Sequence, residues 1–145
     1  MTGKLVGIAK ASELRAPLEE MQSARVSVAT GIAGDARGAK SDRQVTVLFH
    51  ESWQDACREL GVVLPWTTRR ANLLVSGVPA PRQPGGQIRI GEVVLEVRLE
   101  TDPCWLMEQS HAGLKAALTP NWRGGVCCKV VTGGDIRVGD AVSLG

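Results

Sequence analysis

The residue best placed to do chemistry is Cys104, in the run Thr101-Asp102-Pro103-Cys104-Trp105. Cysteine reacts as its thiolate, and backbone N–H groups at the start of a helix stabilise that negative charge. Met107, His111, Leu114 and Leu118 follow at helical spacing, with Pro120 beyond them, which predicts one helix from Trp105 to Leu118. Cys104 then stands at its N-terminal edge. Pro103 fixes the approach of the chain, and Trp105 is placed to wall the thiol from water. Asp102 acts in the opposite sense, because a neighbouring carboxylate disfavours a second negative charge unless an arginine neutralises it.

Four arginines are candidates for that neutralising charge. Arg43 precedes one apolar run, Arg69 and Arg70 precede another, and Arg123 precedes the pair Gly124-Gly125. If those segments converge on one end of a barrel, the guanidinium groups form an anion pocket suited to phosphate, which arginine binds in bidentate fashion. The plainer reading is that they are solvated surface, and that a Pro-Cys pair at such a junction is a packed residue. Placement alone leaves both readings open.

The other cysteines and the histidines read as structural. Cys57 shares an apolar stripe with Trp53, Ala56 and Leu60 in a helix predicted over Glu51 to Leu60, closed by Gly61 as a left-handed cap. Cys127 and Cys128 are neighbours in a strand, so one faces the core and the other away. His50 and His111 have no recognisable partners. There is no C-x-x-C pair and no matching histidine spacing, which argues against zinc. Gly124-Gly125 and Gly133-Gly134 fit neither a dinucleotide fingerprint nor a P-loop, and no G-x-S-x-G elbow occurs, so dehydrogenase, kinase and hydrolase readings fail.

The elements that must position these residues are mostly short strands. Glycine, at 17 residues, punctuates β-branched runs. Strands are predicted at Lys4 to Ala9, Ala24 to Thr30, Gln44 to Phe49, Asn72 to Ser76, Gln87 to Ile90, Glu92 to Glu100, Val126 to Thr132 and Ala141 to Leu144. Val93, Leu95, Val97 and Leu99 alternate with Val94, Glu96, Arg98 and Glu100, the period of a strand with one buried face. Gly133-Gly134-Asp135 is expected to be a tight turn, and Ala36 to Asp42 a mobile loop. A length of 145 residues with 43% hydrophobic and 22% charged content predicts a single domain over 1–145. A net charge of +2 is too small to imply nucleic-acid binding, and apolar runs as short as Val93-Val94-Leu95 cannot cross a bilayer. The opening Met1 to Ile8 reads as a strand rather than a secretory leader, which points to the cytoplasm and to free thiols.

Taken in order, these fragments resemble the MOSC domain, the module found at the C-terminus of molybdenum-cofactor sulfurases, in amidoxime-reducing proteins and as short stand-alone bacterial proteins. The matching pieces are Gly31-Ile32-Ala33-Gly34-Asp35, Arg43-Gln44-Val45-Thr46-Val47-Leu48, Arg69-Arg70-Ala71-Asn72-Leu73, Pro103-Cys104-Trp105, Arg123-Gly124-Gly125-Val126 and Gly134-Asp135-Ile136-Arg137-Val138-Gly139-Asp140. The resemblance implies a mainly β fold, a closed or partly closed β-barrel with two short α-helices. It implies molybdopterin, the molybdenum cofactor, as ligand, with Cys104 as a persulfide carrier or molybdenum ligand. Arg43, Arg69, Arg70 and Arg123 would hold the cofactor phosphate, and Asn72 would add a hydrogen bond. No pyridoxal-phosphate lysine motif is present, so sulfur would come from a partner such as a cysteine desulfurase. The alternative within the same resemblance is a reductase of N-hydroxylated substrates served by separate electron-transfer proteins.

Overall fold

In the computed structural model, which describes residues 2–39 and 42–145, the β-branched runs become strands whose buried faces alternate. In chain order these are β1 (Thr2–Lys10), β2 (Glu19–Met21), β3 (Ser23–Ser27), β4 (Gly31–Ile32) and β5 (Val45–Phe49). Helix α1 (His50–Leu60) and a 3₁₀ turn (Trp66–Arg69) lead to β6 (Leu73–Ser76), β7 (Gln87–Ile90) and β8 (Val93–Glu100). Two short helices, α2 (Trp105–Ser110) and α3 (Leu114–Leu118), precede β9 (Val126–Thr132), β10 (Gly134–Arg137) and β11 (Ala141–Leu144).

Seven of these strands close on themselves. The order β11-β7-β8-β9-β5-β6-β1 is completed by pairing of β1 with β11, which makes a closed barrel, and β2 lies outside β1. Closure leaves the barrel itself no unpaired edge. Within the ring β5 and β6 run parallel, as the α1 crossover between them demands. The barrel interior is filled by side chains such as Leu5, Val47, Ile88, Leu95, Cys128 and Val130. A second apolar cluster lies outside the barrel wall, where Leu48 and Leu74 meet Trp53 of α1, Met107 of α2, and Leu114 and Leu118 of α3. Cys57 is buried in this outer layer, and Gly61 adopts the left-handed cap at φ 68°. The mainly β barrel expected from the resemblance is therefore the observed fold. No helix among the described residues is long and apolar enough to cross a membrane.

The structure departs from the sequence reading at three places. The single helix expected over Trp105 to Leu118 is two helices, so the described residues form three α-helices rather than two. Gly113, at φ 89°, breaks it, and the Glu108 carboxylate accepts the N–H groups of Gly113 (2.9 Å) and Lys115 (3.3 Å) that the break leaves open. The strand expected to reach Thr30 ends at Ser27, whose hydroxyl oxygen accepts the Thr30 N–H at 3.1 Å and turns the chain. Gly133-Gly134 is not a hairpin turn. There the chain leaves the barrel and enters a three-stranded sheet, β10-β3-β4, and a Cβ on Gly133 would sit 2.6 Å from the Val26 carbonyl of β3. Of the loop expected over Ala36 to Asp42, Lys40 and Ser41 lie outside the described residues, and the Gly38 carbonyl is held by Gln44 Nε2 at 3.2 Å.

Buried amides clip the strands together where they approach the site. Gln44 Nε2 also donates to Val28 O, and its Oε1 accepts the Val130 N–H. Asn72 is fully buried. Its Oδ1 accepts from the Thr46 N–H (3.0 Å) and hydroxyl (3.2 Å), and its Nδ2 donates to Ala9 O (3.2 Å), tying β1, β5 and the start of β6. Asn72→Ala strands those groups without water, and about 2–3 kcal/mol of unfolding free energy is expected to disappear in urea denaturation. A loss below about 0.5 kcal/mol would contradict the clip.

Candidate functional site

The end of β8 is shaped by an irregularity in its pairing with β9. Val97 opposes Cys128, yet Leu99, not Arg98, opposes Cys127. Such a bulge re-aims the strand, and the connector Thr101 to Pro103 then carries the chain across Gly124 and Gly125 to Cys104. Cys104 is exposed and caps α2 in an extended conformation. Because α2 has only six residues, its dipole is a weak source of positive field.

Arg69 supplies the stronger one. It closes the 3₁₀ turn before β6 and is only 7% exposed. Its Nε donates to Gly124 O at 3.0 Å and its Nη2 to Thr101 O at 2.9 Å, while Nη1 has no acceptor among the described residues. Burial pulls its pKa below the ordinary arginine value, and the nearby Cys104 and then Cys127 pull in the opposite direction. No carboxylate forms an ion pair with Arg69 among the described residues. Gly124 has to be glycine for this to form, since a Cβ there would stand 2.5 Å from Thr101 O and 3.2 Å from Arg69 Nη2.

Arg70 follows with φ 64°, a left-handed conformation that costs a side-chain-bearing residue about 1–2 kcal/mol. Its Nη2 donates to Ala16 O at 2.6 Å. Burial, and then repulsion from Arg37, lower its pKa. Arg37 donates from Nη2 to Arg70 O at 2.9 Å. Asp35 orders this corner by accepting the N–H groups of Ala11 (3.0 Å) and Arg37 (3.3 Å). The loop after β1, the loop after β4, the 3₁₀ turn and the start of α2 thus enclose one pocket of about 240 Å³ containing Cys104, Arg69, Arg70, Arg37 and Arg15.

The other arginines and Asn72 stand elsewhere. Arg43 is exposed and outside the pocket. Arg123 pairs with Glu59 at 2.6 Å and donates to Ala117 O at 3.0 Å, which joins α1 to the end of α3. Asn72 is occupied in the strand clip. Trp105 is 64% exposed and does not wall the thiol; Leu106 and Met107 line the pocket instead. Cys127 and Cys128 point to opposite faces of β9, but both are buried, Cys128 inside the barrel and Cys127 with its sulfur 3.2 Å from the Thr101 hydroxyl. Burial pushes the Cys128 thiol far above its usual range. Arg15 and Arg37 were missed in the sequence reading. The only signal for Arg37 was the alternation Asp35-Ala36-Arg37 within a glycine-rich loop, and Arg15 carried none.

Among the described residues no three His, Cys, Asp or Glu side chains gather to hold a metal by themselves. The donor set present is a soft thiol facing a group of guanidinium ions, chemistry suited to an anionic ligand that brings its own metal.

The fold is shared with solved structures. The YuaD protein of Bacillus subtilis superposes with a TM-score of 0.83 at 22% identity, over 99% of this chain and 96% of that one. YiiM of Escherichia coli gives 0.73 at 16% identity over 100% and 70%, and YiiM of Geobacillus stearothermophilus 0.70 at 17% over 99% and 73%. Among curated proteins none matches the chain. The MOSC domain profile matches residues 29–143, a span that contains Arg37, Arg69, Arg70, Cys104 and Gly124. The chain belongs to the MOSC domain family, whose members are associated with the molybdenum cofactor.

Proposed function

We propose that this chain is a molybdenum-cofactor module in which Cys104 carries sulfur beside an arginine cluster that holds the cofactor phosphate. The observation that carries this reading is that a buried guanidinium with no ion-paired carboxylate among the described residues opens into the same pocket as an exposed thiol. A buried charge needs a counter-charge. Phosphate provides one, and the unused Nη1 of Arg69 suits its oxygen atoms, with Arg70 and Arg37 alongside. When bound, the cofactor supplies the redox-active molybdenum; the residues of this chain bind it, orient it and present sulfur.

The exposure of Cys104 favours the carrier role over that of a permanent metal ligand, because a protein donor can reach the thiol directly. In loading, the Cys104 thiolate attacks the outer sulfur of a donor persulfide. A new sulfur–sulfur bond forms on Cys104, and the donor leaves as its thiolate. Arg69 lines the same pocket as the attacking sulfur.

Protein incubated with a persulfide-loaded cysteine desulfurase is expected to gain the mass of one sulfur atom on Cys104, and Cys104→Ser to gain none. Equal molybdenum retention by both proteins, with no added sulfur on either, would defeat the proposal.

The arginines can be separated by a second comparison. Arg69→Lys keeps the charge but cannot span Gly124 O, Thr101 O and a phosphate together, so cofactor affinity should fall about tenfold or more. Arg123→Ala breaks the Glu59 pair and the hydrogen bond to Ala117 O, at a cost of about 1–2 kcal/mol in stability, and should leave bound molybdenum unchanged. Metal analysis after gel filtration reads both, and equal losses would place the phosphate wrongly.

A further inference from the structure

The arginines of this protein are held in two different ways. Arg25, Arg58, Arg98 and Arg123 stand outside the main pocket, and each pairs with a carboxylate. Arg37, Arg69 and Arg70 line the pocket and are pinned by peptide carbonyls instead. Arg69 donates to Gly124 O (3.0 Å) and Thr101 O (2.9 Å), Arg70 to Ala16 O (2.6 Å), and Arg37 to Arg70 O (2.9 Å). Asp102 and Asp35 act on Arg69 and Arg70 from beyond ion-pair distance, and the Asp35 oxygens are committed to the N–H groups of Ala11 and Arg37. A guanidinium oriented by a neutral acceptor keeps its fork and its charge for a ligand.

The same pocket, of about 240 Å³, offers a nucleophile and an apolar wall. Cys104 is exposed and lines it, together with Leu14, Leu106 and Met107. This combination fits a ligand of divided character, with soft, weakly hydrated sulfur at one end and a tetrahedral oxyanion at the other. A phosphate or sulfate ion engages the arginines but gives the thiol nothing to attack. A protein persulfide engages the thiol but makes no use of the arginines. An oxyanion that carries its own transferable sulfur uses both.

We propose that the pocket loads Cys104 directly from a small sulfane-sulfur oxyanion of the thiosulfate class. The inference rests on the reading of Cys104 as a sulfur carrier and gives that carrier a second donor. The Cys104 thiolate attacks the outer sulfur of thiosulfate, and a sulfur–sulfur bond forms on Cys104. The bond between the outer sulfur and the sulfonate sulfur breaks. Sulfite leaves with the bonding electron pair and Cys104 is left as a persulfide anion, so no further oxidant or reductant takes part. The arginines hold the sulfonate oxygens and stabilise the charge that grows on the departing sulfite. A cofactor phosphate would take the same arginines, so loading precedes cofactor binding and phosphate competes with it.

The test uses cofactor-free protein and sodium thiosulfate without oxygen. Intact mass should show one sulfur atom gained on Cys104. Added cyanide should take that sulfur as thiocyanate and return the thiolate, so that turnover can be followed; Cys104→Ser should show neither result. Arg37→Gln, with its folding checked by Tm, should raise the half-saturating thiosulfate concentration about tenfold, as loss of one charge-assisted hydrogen bond does. Arg43→Gln, at an exposed position outside the pocket, should leave it unchanged. In the unaltered protein, inorganic phosphate should raise the same concentration without lowering the maximal rate. Protein that a persulfide-loaded desulfurase charges but thiosulfate does not would overturn this inference and leave the carrier reading standing, whereas failure with both donors would end both. Loading by thiosulfate that neither phosphate nor Arg37→Gln affects would be the reaction of an unassisted thiol, and it too would overturn the proposal.

Discussion

Arg69 is buried against the carbonyl groups of Gly124 and Thr101, with no carboxylate in ion-pair contact among the described residues. Removing a guanidinium from water is costly, and neutral acceptors offset only part of that cost. Much of the surrounding geometry follows from meeting it. The bulge at the end of β8 brings Thr101 within reach, and the absence of a side chain at Gly124 lets that carbonyl and the connector pack on the guanidinium. The same two carbonyls belong to the segments that flank Cys104 and β9. The charge and the thiol are therefore held by one piece of structure rather than assembled from independent parts.

The barrel supplies the rigidity this needs. Seven paired strands with a filled interior fix β5, β6, β8 and β9, and the buried amides of Gln44 and Asn72 lock the loops and strand starts that carry Arg37 and Arg69. Asn72 illustrates how position can mislead. It lies three residues from Arg69 in a piece of sequence shared with the family, which invites a ligand role, yet its oxygen and nitrogen atoms are both committed to backbone and hydroxyl partners inside the sheet. Arg123 is similar: it precedes the glycine pair that shapes the site, but its guanidinium turns toward Glu59.

What could be read from the sequence was whatever a local period or cap determines. The alternation in Val93 to Leu99 and the helical stripe Trp53, Ala56, Cys57 and Leu60 appear in the structure where they were expected. The break in the second helix was missed because apolar spacing continues across Gly113, and the Glu108 carboxylate that caps the new start is recognisable only once the chain has turned. The chain's passage out of the barrel at Gly133 was hidden for the same reason: glycine before a strand looks alike whether it makes a hairpin or lets another strand approach. At the site, Cys104, Arg69 and Arg70 were legible as residue types. Arg37 was not, because its approach depends on Asp35 ordering a loop against Ala11, a contact across 24 residues of chain.

The positive field at Cys104 was first assigned to a helix start, and the structure transfers that role. Helix α2 has six residues and no side-chain cap, so few aligned peptide dipoles act on the sulfur. Arg69 carries a whole charge, is shielded from solvent, and feels Cys104 as its largest favourable electrostatic neighbour. In the proposed reading, sulfur transfer at Cys104 and phosphate binding both use the pocket that Arg69 lines, so a change at Arg69 is expected to alter both.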